Sequence, residues 1–428
     1  FNKQSKDLLD FTTESEFNYN EEEIEGKVIA LFKDGVKVDE LEDNGEIIFD
    51  KTVFYGEMGG EVGDTGVIVN ENANAQVINT TKAPNKQNLH HVKVIYGTIK
   101  IGDSFKLKVD RIKRHDIMKN HSATHLLQSA LISVLGEEVK QKGSFVNEDY
   151  LRFDFSHYEK VSNNDLKRVE RKVNEYIESC IDRNTLVLPI EEAKKTGAIA
   201  EFGEKYGDTV RVVKFGDIST EFCGGCHVQN TSEIGLFVIE SEEAISSGVR
   251  RIQALTGRKA LEYLKKKELL LNEIKEKLNV SSELDIESKL NVLMEELTYK
   301  DSIIADFNKK ACQSQCKILN NEFQNIGDIC TLIKYIPEFK KDGMIAIYDL
   351  LKANKDNFII VLAGKNDDKN PLLVGVSKSL TLKGIKAGDI VKKITKLVGG
   401  SGGGKPELAQ GNIVDVEKFV TLKAENLL

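Results

Sequence analysis

The sequence predicts a multidomain α+β chain: a small antiparallel β-barrel, an α+β block, a helical hairpin or coiled coil, and a small α/β domain at the C-terminal end. Three observations lead there. With 428 residues, the chain has room for about three domains of roughly 150 residues each. Its pattern changes along the chain, from short β-rich runs between turns to a helical stripe and later to heptad-like spacing. Its composition, 40% hydrophobic and 30% charged with five prolines and no tryptophan, is too apolar for a disordered chain. The expected boundaries are 1–115 for the barrel and the segment leading into it, 116–258 for the α+β block, 259–327 for the helices and 328–428 for the last domain.

Residues 27–38, KVIALFKDGVKV, read as two strands around Asp34-Gly35, a hairpin signal. Further short strands are expected at 47–49, 67–69, 92–96 and 105–109, joined through Gly97 and Gly102-Asp103. Between two of them lies FYGEMGGEVGDTG at 54–66, dense in glycine and acids. Many short strands punctuated by turns suit a small barrel. Over 117–135 the period turns helical, with Leu126, Leu127, Ala130, Leu131, Val134 and Leu135 in one stripe and Asn120 or Ser122 as the expected cap. Residues 151–155 alternate as a strand. Residues 162–183 form an amphipathic helix on Val169, Val173, Tyr176 and Ile177, and 210–215 and 235–241 are further strands.

From Lys259 the chain becomes helical and charged. Leu264, Leu271, Ile274 and Leu278 keep heptad-like spacing, and so do Ile286, Leu290, Leu293 and Leu297 after a break at Ser281-Ser282. An antiparallel hairpin or a dimerising coiled coil is expected, and a plain helical spacer fits the pattern equally. Beyond it, 344–348, 358–362 and 372–376 are apolar enough for buried strands, 388–398 reads as a helix, and GGSGGGKPELAQG follows at 399–411.

A net charge of −8 argues against a bulk polycation that coats nucleic acid, but the charge is uneven. Residues 1–50 hold five lysines against fifteen acids, whereas 371–428 hold nine lysines against five acids, so the C-terminal end can meet a phosphate backbone. No apolar run approaches the roughly 18 residues that span a bilayer, so no membrane partner is expected. Six cysteines, Cys180, Cys223, Cys226, Cys312, Cys316 and Cys330, follow no secreted-domain spacing, and 1–10 lacks a signal core. Reduced thiols in the cytoplasm, used for catalysis or metal, are the expectation. The chain starts at Phe1, which reads as an internal cut in a longer protein.

His121 and His125 form H-x-x-x-H inside the expected helix. That spacing puts two imidazoles on one face, a turn apart, where both reach one metal. Ser122 follows His121, so the H-E-x-x-H protease pattern and its glutamate base are missing. The partner pair is Cys223 and His227 in EFCGGCHV, where Gly224-Gly225 allow a tight turn. Together these residues suggest a zinc site of three histidines and one cysteine. Cys226 in place of His227, a Cys223/Cys226 redox pair and a C-x-x-C-H haem attachment are the rivals. The last needs export and leaves His121 and His125 unexplained.

At NHSATHLL (120–127), QKGS (141–144), RFDFSH (152–157), FGEKYGD (202–208), CGGCH (223–227) and SGVRRIQALTG (247–257) the sequence resembles the editing domain of the alanyl-tRNA synthetase family. FYGEMGGEVGDTG resembles the barrel segment that precedes that domain, and GGSGGGKPELAQG the glycine-rich signature of the family's C-terminal domain. Six motifs in order, collinear over nearly the whole chain, are specific where one would be weak.

The resemblance implies that 116–258 is a zinc-dependent editing domain, that 328–428 binds tRNA, and that His121, His125, Cys223 and His227 hold Zn2+. It implies hydrolysis of the ester in tRNA(Ala) mischarged with serine or glycine. A pocket sized for alanine excludes glycine poorly and rejects one added hydroxyl poorly, so a second, hydrolytic site restores accuracy. Thr124 and Gln141 match positions lining the pocket, where a hydroxyl and an amide bind serine or place water; helix packing and loop surface are their plainer roles. Asp154 is a candidate acid behind the ligands, with a strand ion pair to Arg152 as the plainer role. Arg250 and Arg251 are candidates for facing the tRNA end, with surface charge as the alternative. Gly402, Gly403, Gly404 and Lys405 are implied tRNA contacts, since backbone N–H groups of a glycine loop before a helix can cradle phosphate. Pro406 after Lys405 rules out a Walker A loop.

Three residues depart from the family pattern: Cys226 stands where Thr is common, and Met58 and Glu61 where Ser and Gln are expected. The ATP-dependent half precedes the barrel in this family, so ATP and Mg2+ are expected only of a missing half. The overall expectation is the C-terminal half of a family member, cytoplasmic, editing and binding tRNA(Ala), with a homodimer through the helical and C-terminal region as a further suggestion. The alternatives are a freestanding editing hydrolase and a non-catalytic, zinc-containing tRNA-binding module.

Overall fold

The computed structural model describes residues 5–200, 207–353, 355–365 and 370–427. Most of the FGEKYGD motif at 202–208 lies outside them. The chain divides into two compact units, Phe1–Glu273 and Ile274–Leu428.

The first unit opens with a six-stranded antiparallel barrel. Strands β1 (Glu23–Lys33), β2 (Asn44–Phe49), β3 (Gly66–Val69), β4 (Asn74–Lys82), β5 (Asn88–Tyr96) and β6 (Ser104–Val109) pair in the order β6-β3-β4-β5-β2-β1. β6 also pairs with β1 and closes the ring, which leaves no open edge. Alternation, shifted by one residue at a bulge in β1 after Val28, puts Val28, Leu31, Ile47, Phe49, Val77, Val92, Phe105 and Leu107 inside. Asp34 and Gly35 take φ of 50° and 79° between β1 and Val36–Val38, the left-handed pair that a two-residue hairpin turn requires.

Helix α1 (Arg111–Leu135) follows directly. Its cap is Asp110, whose carboxylate accepts the Lys113 N–H at 3.1 Å. The expected caps Asn120 and Ser122 lie well inside the helix. The first turns carry no apolar stripe because Arg114 is buried there by ion pairing, not by apolar character. Around α1 stand an antiparallel sheet of β7 (Gln141–Val146), β8 (Leu151–Ser156), β12 (Phe237–Ser246) and β13 (Val249–Thr256), in the order β7-β8-β13-β12, helix α2 (Asn163–Glu178), and a three-stranded sheet of β9 (Arg183–Pro189), β10 (Thr209–Phe215) and β11 (Ser219–Phe222). Leu126, Leu127 and Leu131 of α1 share a core with Phe153 and Phe155 of β8, Val169 and Val173 of α2, Phe215 and Phe237. This buries α1 on most sides.

Helices α3 (Gly257–Leu278) and α4 (Leu284–Asn320) break where heptad-like spacing predicts. Leu264, Leu271, Leu290 and Leu297 are exposed; the buried residues are Ala260 in α3 and Cys312, Cys316 and Leu319 in α4.

The second unit is built on a sheet of β14 (Gln324–Ile326), β15 (Ile329–Tyr335), β16 (Phe358–Ala363), β17 (Asn370–Val376), β18 (Gly400–Gly404) and β19 (Leu408–Ile413), in the order β14-β15-β16-β17-β19-β18. β15 and β16 run parallel and the other pairs antiparallel. Helix α5 (Lys341–Lys352) covers Ile360, Leu362 and Leu373 on one face; helix α6 (Ala387–Val398) covers Val361, Leu372 and Val374 on the other. β16 is buried throughout, hence its unbroken apolar run.

Two expectations are corrected here. Residues 344–348 are helical: Met344, Ile347, Tyr348 and Leu351 form the buried face of α5, a spacing hidden when only the short apolar run is considered. The glycine-rich segment is not a loop before a helix. It is strand β18, which follows α6 and pairs with β19. A Cβ on Gly402 would strike the Gln410 carbonyl and the Val391 side chain, so close backbone approach explains the glycine. No helix among the described residues is long and apolar enough to cross a membrane.

Candidate metal centre

Helix α1 projects His121 and His125 from one face, both buried. β11 ends at Phe222 and hands the chain to the turn that carries Cys223 and His227. One donor atom from each of the four residues lies within 4.8 Å of every other. Cys223 Sγ is 3.4 Å from His121 Nε2 and 3.2 Å from His227 Nε2, and the three imidazole centroids are 4.2 to 5.3 Å apart. Tetrahedral zinc with one sulfur and three nitrogens needs ligand separations of about 3.4–3.6 Å. His125 Nδ1 is buried with no hydrogen-bond partner, an arrangement costly unless something else binds it. The donor set and this orphan both fit a metal ion.

Each histidine is also held from behind. His121 Nδ1 hydrogen-bonds the Glu61 carboxylate; His227 Nδ1 is 3.0 Å from Ser122 Oγ; His125 Nε2 is 3.5 Å from Glu221 Oε2. Such partners fix ring orientation and tautomer. Burial, reinforced by the neighbouring His121, holds His125 and His227 well below the ordinary imidazole value, so both are neutral, the form that ligates. His121 is pulled down by burial, but Cys223 and Glu61 overcome this and hold it well above that value. Burial and then Glu61 push the Cys226 thiol well up. Cys226 therefore stays protonated, and it lies outside the cluster of four.

Glu61 was visible in the sequence only as a departure from a family pattern; its place at the ligands was not. It sits on the segment between β2 and β3 and is 1% exposed. Its carboxylate also accepts the Cys226 N–H at 2.9 Å. Val62 N–H to Val146 O at 3.1 Å, and Val146 N–H to Gly60 O at 2.8 Å, stitch this segment to the end of β7.

Gly225 passes so close to His121 that a Cβ there would overlap the imidazole and the Glu61 carboxylate. Gly225→Ala should weaken metal affinity by about 10–100-fold, read as zinc content after dialysis against chelator. Gly224→Ala, whose Cβ would meet only the movable end of Met58, should keep its metal.

The other expected site residues lie as follows. Thr124 Oγ1 donates to the Asn120 carbonyl one turn back, at 2.8 Å. Gln141 lines a cavity of about 520 Å³ with Gln128, Ile132, Val139 and Glu221, next to His125. Asp154 does not pair with Arg152; it takes Arg251 of the neighbouring strand in two bonds of 2.7 and 2.8 Å. Arg250 pairs with Glu242 at 2.5 Å. Both arginines are thus tied within their sheet, Arg250 to β12 and Arg251 to β8. Gly402, Gly403 and Gly404 belong to β18, and Lys405 opens the hairpin turn, its N–H on the Leu408 carbonyl at 2.9 Å.

Three family models match this architecture. The model for tRNA synthetases class II (A) matches residues 1–113. The Threonyl and Alanyl tRNA synthetase second additional domain matches 210–253, from β10 through the turn of Cys223 and His227 into β13. The DHHA1 domain matches 328–425. The barrel and the block that carries the four donor residues are therefore similar to domains of class II aminoacyl-tRNA synthetases. The alanine–tRNA ligase of Alkaliphilus oremlandii (strain OhILAs) is 40% identical over 403 residues, covering 94% of this chain and 46% of that protein. That of Geobacillus thermodenitrificans (strain NG80-2) is 41% identical over 414 residues, covering 96% and 47%. Among solved structures, the C-Ala domain from Aquifex aeolicus alanyl-tRNA synthetase aligns at 27% identity and a TM-score of 0.23, over 24% of this chain and 96% of that one. The chain belongs to the alanyl-tRNA synthetase family and spans about half the length of the curated relatives it matches.

Proposed function

We propose that this chain is the proofreading and tRNA-binding portion of an alanine–tRNA ligase, hydrolysing tRNA(Ala) mischarged with serine or glycine. The observation that carries this reading is the convergence of His121, His125, Cys223 and His227 beside a cavity lined by Gln128, Gln141 and Glu221, the last 3.5 Å from His125. The donor set suits Zn2+. When bound, the ion would supply a Lewis acid or an activated water. The chain's own residues orient the reactants. Glu61, Ser122 and Glu221 hold the three imidazoles. Glu221 borders the cavity as a counter-charge for the ammonium of an aminoacyl ester, and Gln128 and Gln141 present amides to its polar side chain. Thr124 keeps its hydroxyl oxygen as an acceptor between the ligands, and Asp154 acts through Arg251.

Contact with tRNA through the lysine-rich C-terminal unit, including Gly402–Lys405, and through Arg250 and Arg251 completes the proposal. Alanylation, with ATP and Mg2+, would belong to the part of the longer relatives that this chain does not span. A cytoplasmic location follows from partnership with tRNA. A homodimer along α3 and α4 would cover their exposed leucines. A freestanding editing hydrolase would use the same site. One feature favours a second reading, a tRNA-binding module with structural metal: four protein ligands make a closed site.

The discriminating experiment is serine release from Ser-tRNA(Ala), with Ala-tRNA(Ala) alongside. The zinc-loaded chain should release serine at least about 100-fold faster than alanine, the order of discrimination for which second sites exist. Bound zinc and tRNA with serine release no faster than in buffer would favour the binding module.

A further inference from the structure

The turn that supplies half of the ligands is soft by composition. Cys223-Gly224-Gly225-Cys226-His227 holds two glycines in five residues, and glycine has the most backbone freedom to lose. Glu61 takes its Cys226 N–H and Arg183 its His227 carbonyl, and two further side chains take the carbonyls ahead of them. Arg211 of β10 donates from Nη1 to the Cys223 carbonyl at 2.9 Å and to the Gly225 carbonyl at 2.8 Å. Tyr19 Oη donates to the carbonyl between them, that of Gly224, at 2.8 Å. The Arg211 guanidinium carbon lies 4.1 Å from the centroid of the Tyr19 ring, a cation–π contact. Three consecutive carbonyls are captured by two side chains that also hold each other.

Tyr19 reaches this turn from the segment ahead of the barrel, and that segment is itself fixed. Glu16–Phe17 pairs in parallel with Lys51–Thr52, and the Asn18 N–H donates to the Thr52 carbonyl at 2.9 Å. Phe17 packs edge-on against Tyr19 and Tyr55, with centroids 4.6 and 5.8 Å away. The phenol is thus delivered to Gly224 by an ordered strand.

We propose that Tyr19 and Arg211 form a clamp on the carbonyls of Cys223, Gly224 and Gly225, holding Cys223 and His227 in register for the metal, so that residues ahead of the barrel set how firmly the centre keeps its ion. The clamp rests on the metal-centre reading above and is independent of whether the centre hydrolyses an ester. Tyr19 and Arg211 are positioning residues; neither touches the metal or a substrate.

The test uses the full chain, loaded with zinc and challenged with excess chelator, and loaded separately with Co2+ for its visible absorption. Tyr19→Phe keeps the ring over Arg211 and removes one hydrogen bond. It should release zinc about five- to tenfold faster, the scale of one net hydrogen bond. Arg211→Lys keeps the charge but loses the fork that bridges two carbonyls; it should release zinc about 10–100-fold faster and alter the cobalt absorption. The melting temperature of either metal-free variant should stay near that of the metal-free parent. Zinc release at the parental rate with unchanged cobalt absorption overturns the clamp. So does an equal loss of stability with and without metal, which marks ordinary packing. A parent chain that takes up neither ion overturns the metal reading and the clamp with it. A zinc-retaining parent that releases no serine overturns only the hydrolytic reading, and the release rates still decide the clamp.

Discussion

His121→Ala/His125→Ala should yield a chain that retains no zinc and releases serine from Ser-tRNA(Ala) no faster than buffer, a loss of at least about 100-fold given what a bound metal contributes to transition-state charge. The two imidazoles are half of the donor set, and both come from one helix face. Their removal leaves Cys223 and His227 alone, with too few ligands for a stable zinc site. His115→Ala is the matched control. It lies on the same helix, but its ring is half exposed and meets Glu22 at the surface, 3.0 Å away, so zinc and activity should both persist. Binding of tRNA should survive the double substitution if the C-terminal unit supplies that contact. Serine release at the parental rate by the double variant would mean that the hydrolytic centre lies elsewhere.

The sequence was most informative where structure depends on neighbours in the chain. Short β-rich runs between turns marked the barrel strands, and Asp34-Gly35 marked its hairpin. The i,i+4 histidines and the Cys223–His227 turn are each local patterns, and each sits on the element expected to carry it. What stayed hidden depends on partners far away in sequence. Glu61 meets His121 from sixty positions off. Asp154 found Arg251 across a strand pair whose register no local pattern sets. The start of α1 was misplaced because Arg114 reads as a surface residue until Asp64 is beside it. The glycine-rich segment looked like a phosphate loop, because glycine that permits a turn and glycine that permits close strand packing are the same letter.

Asp64→Ala should destabilise the first unit by about 3–5 kcal/mol, the cost of leaving a buried charge without its partner. Asp64 and Arg114 are each 2% exposed. Arg114 Nε lies 3.0 Å from both carboxylate oxygens, and its Nη2 donates to the Val53 carbonyl at 2.6 Å. Asp64 also accepts the Tyr55 N–H at 2.7 Å. Removing the carboxylate strands the guanidinium and that N–H in an apolar setting. Against a total stability of about 5–15 kcal/mol for a typical domain, the loss is large. It should be read as faster hydrogen exchange of barrel amides, because a chain of two units need not unfold in one step. Arg114→Met/Asp64→Leu, which removes both charges, should recover most of the loss; a cost below about 1 kcal/mol for Asp64→Ala would show the pair to be dispensable. The metal site should feel the single variant too. Asp64 shares its segment with Glu61, and Arg114 shares its helix with His121, two turns on, so the ion pair sets the height at which Glu61 meets His121. Zinc should therefore leave Asp64→Ala faster than it leaves the parent, and Arg114→Met/Asp64→Leu should restore retention only as far as it restores that alignment.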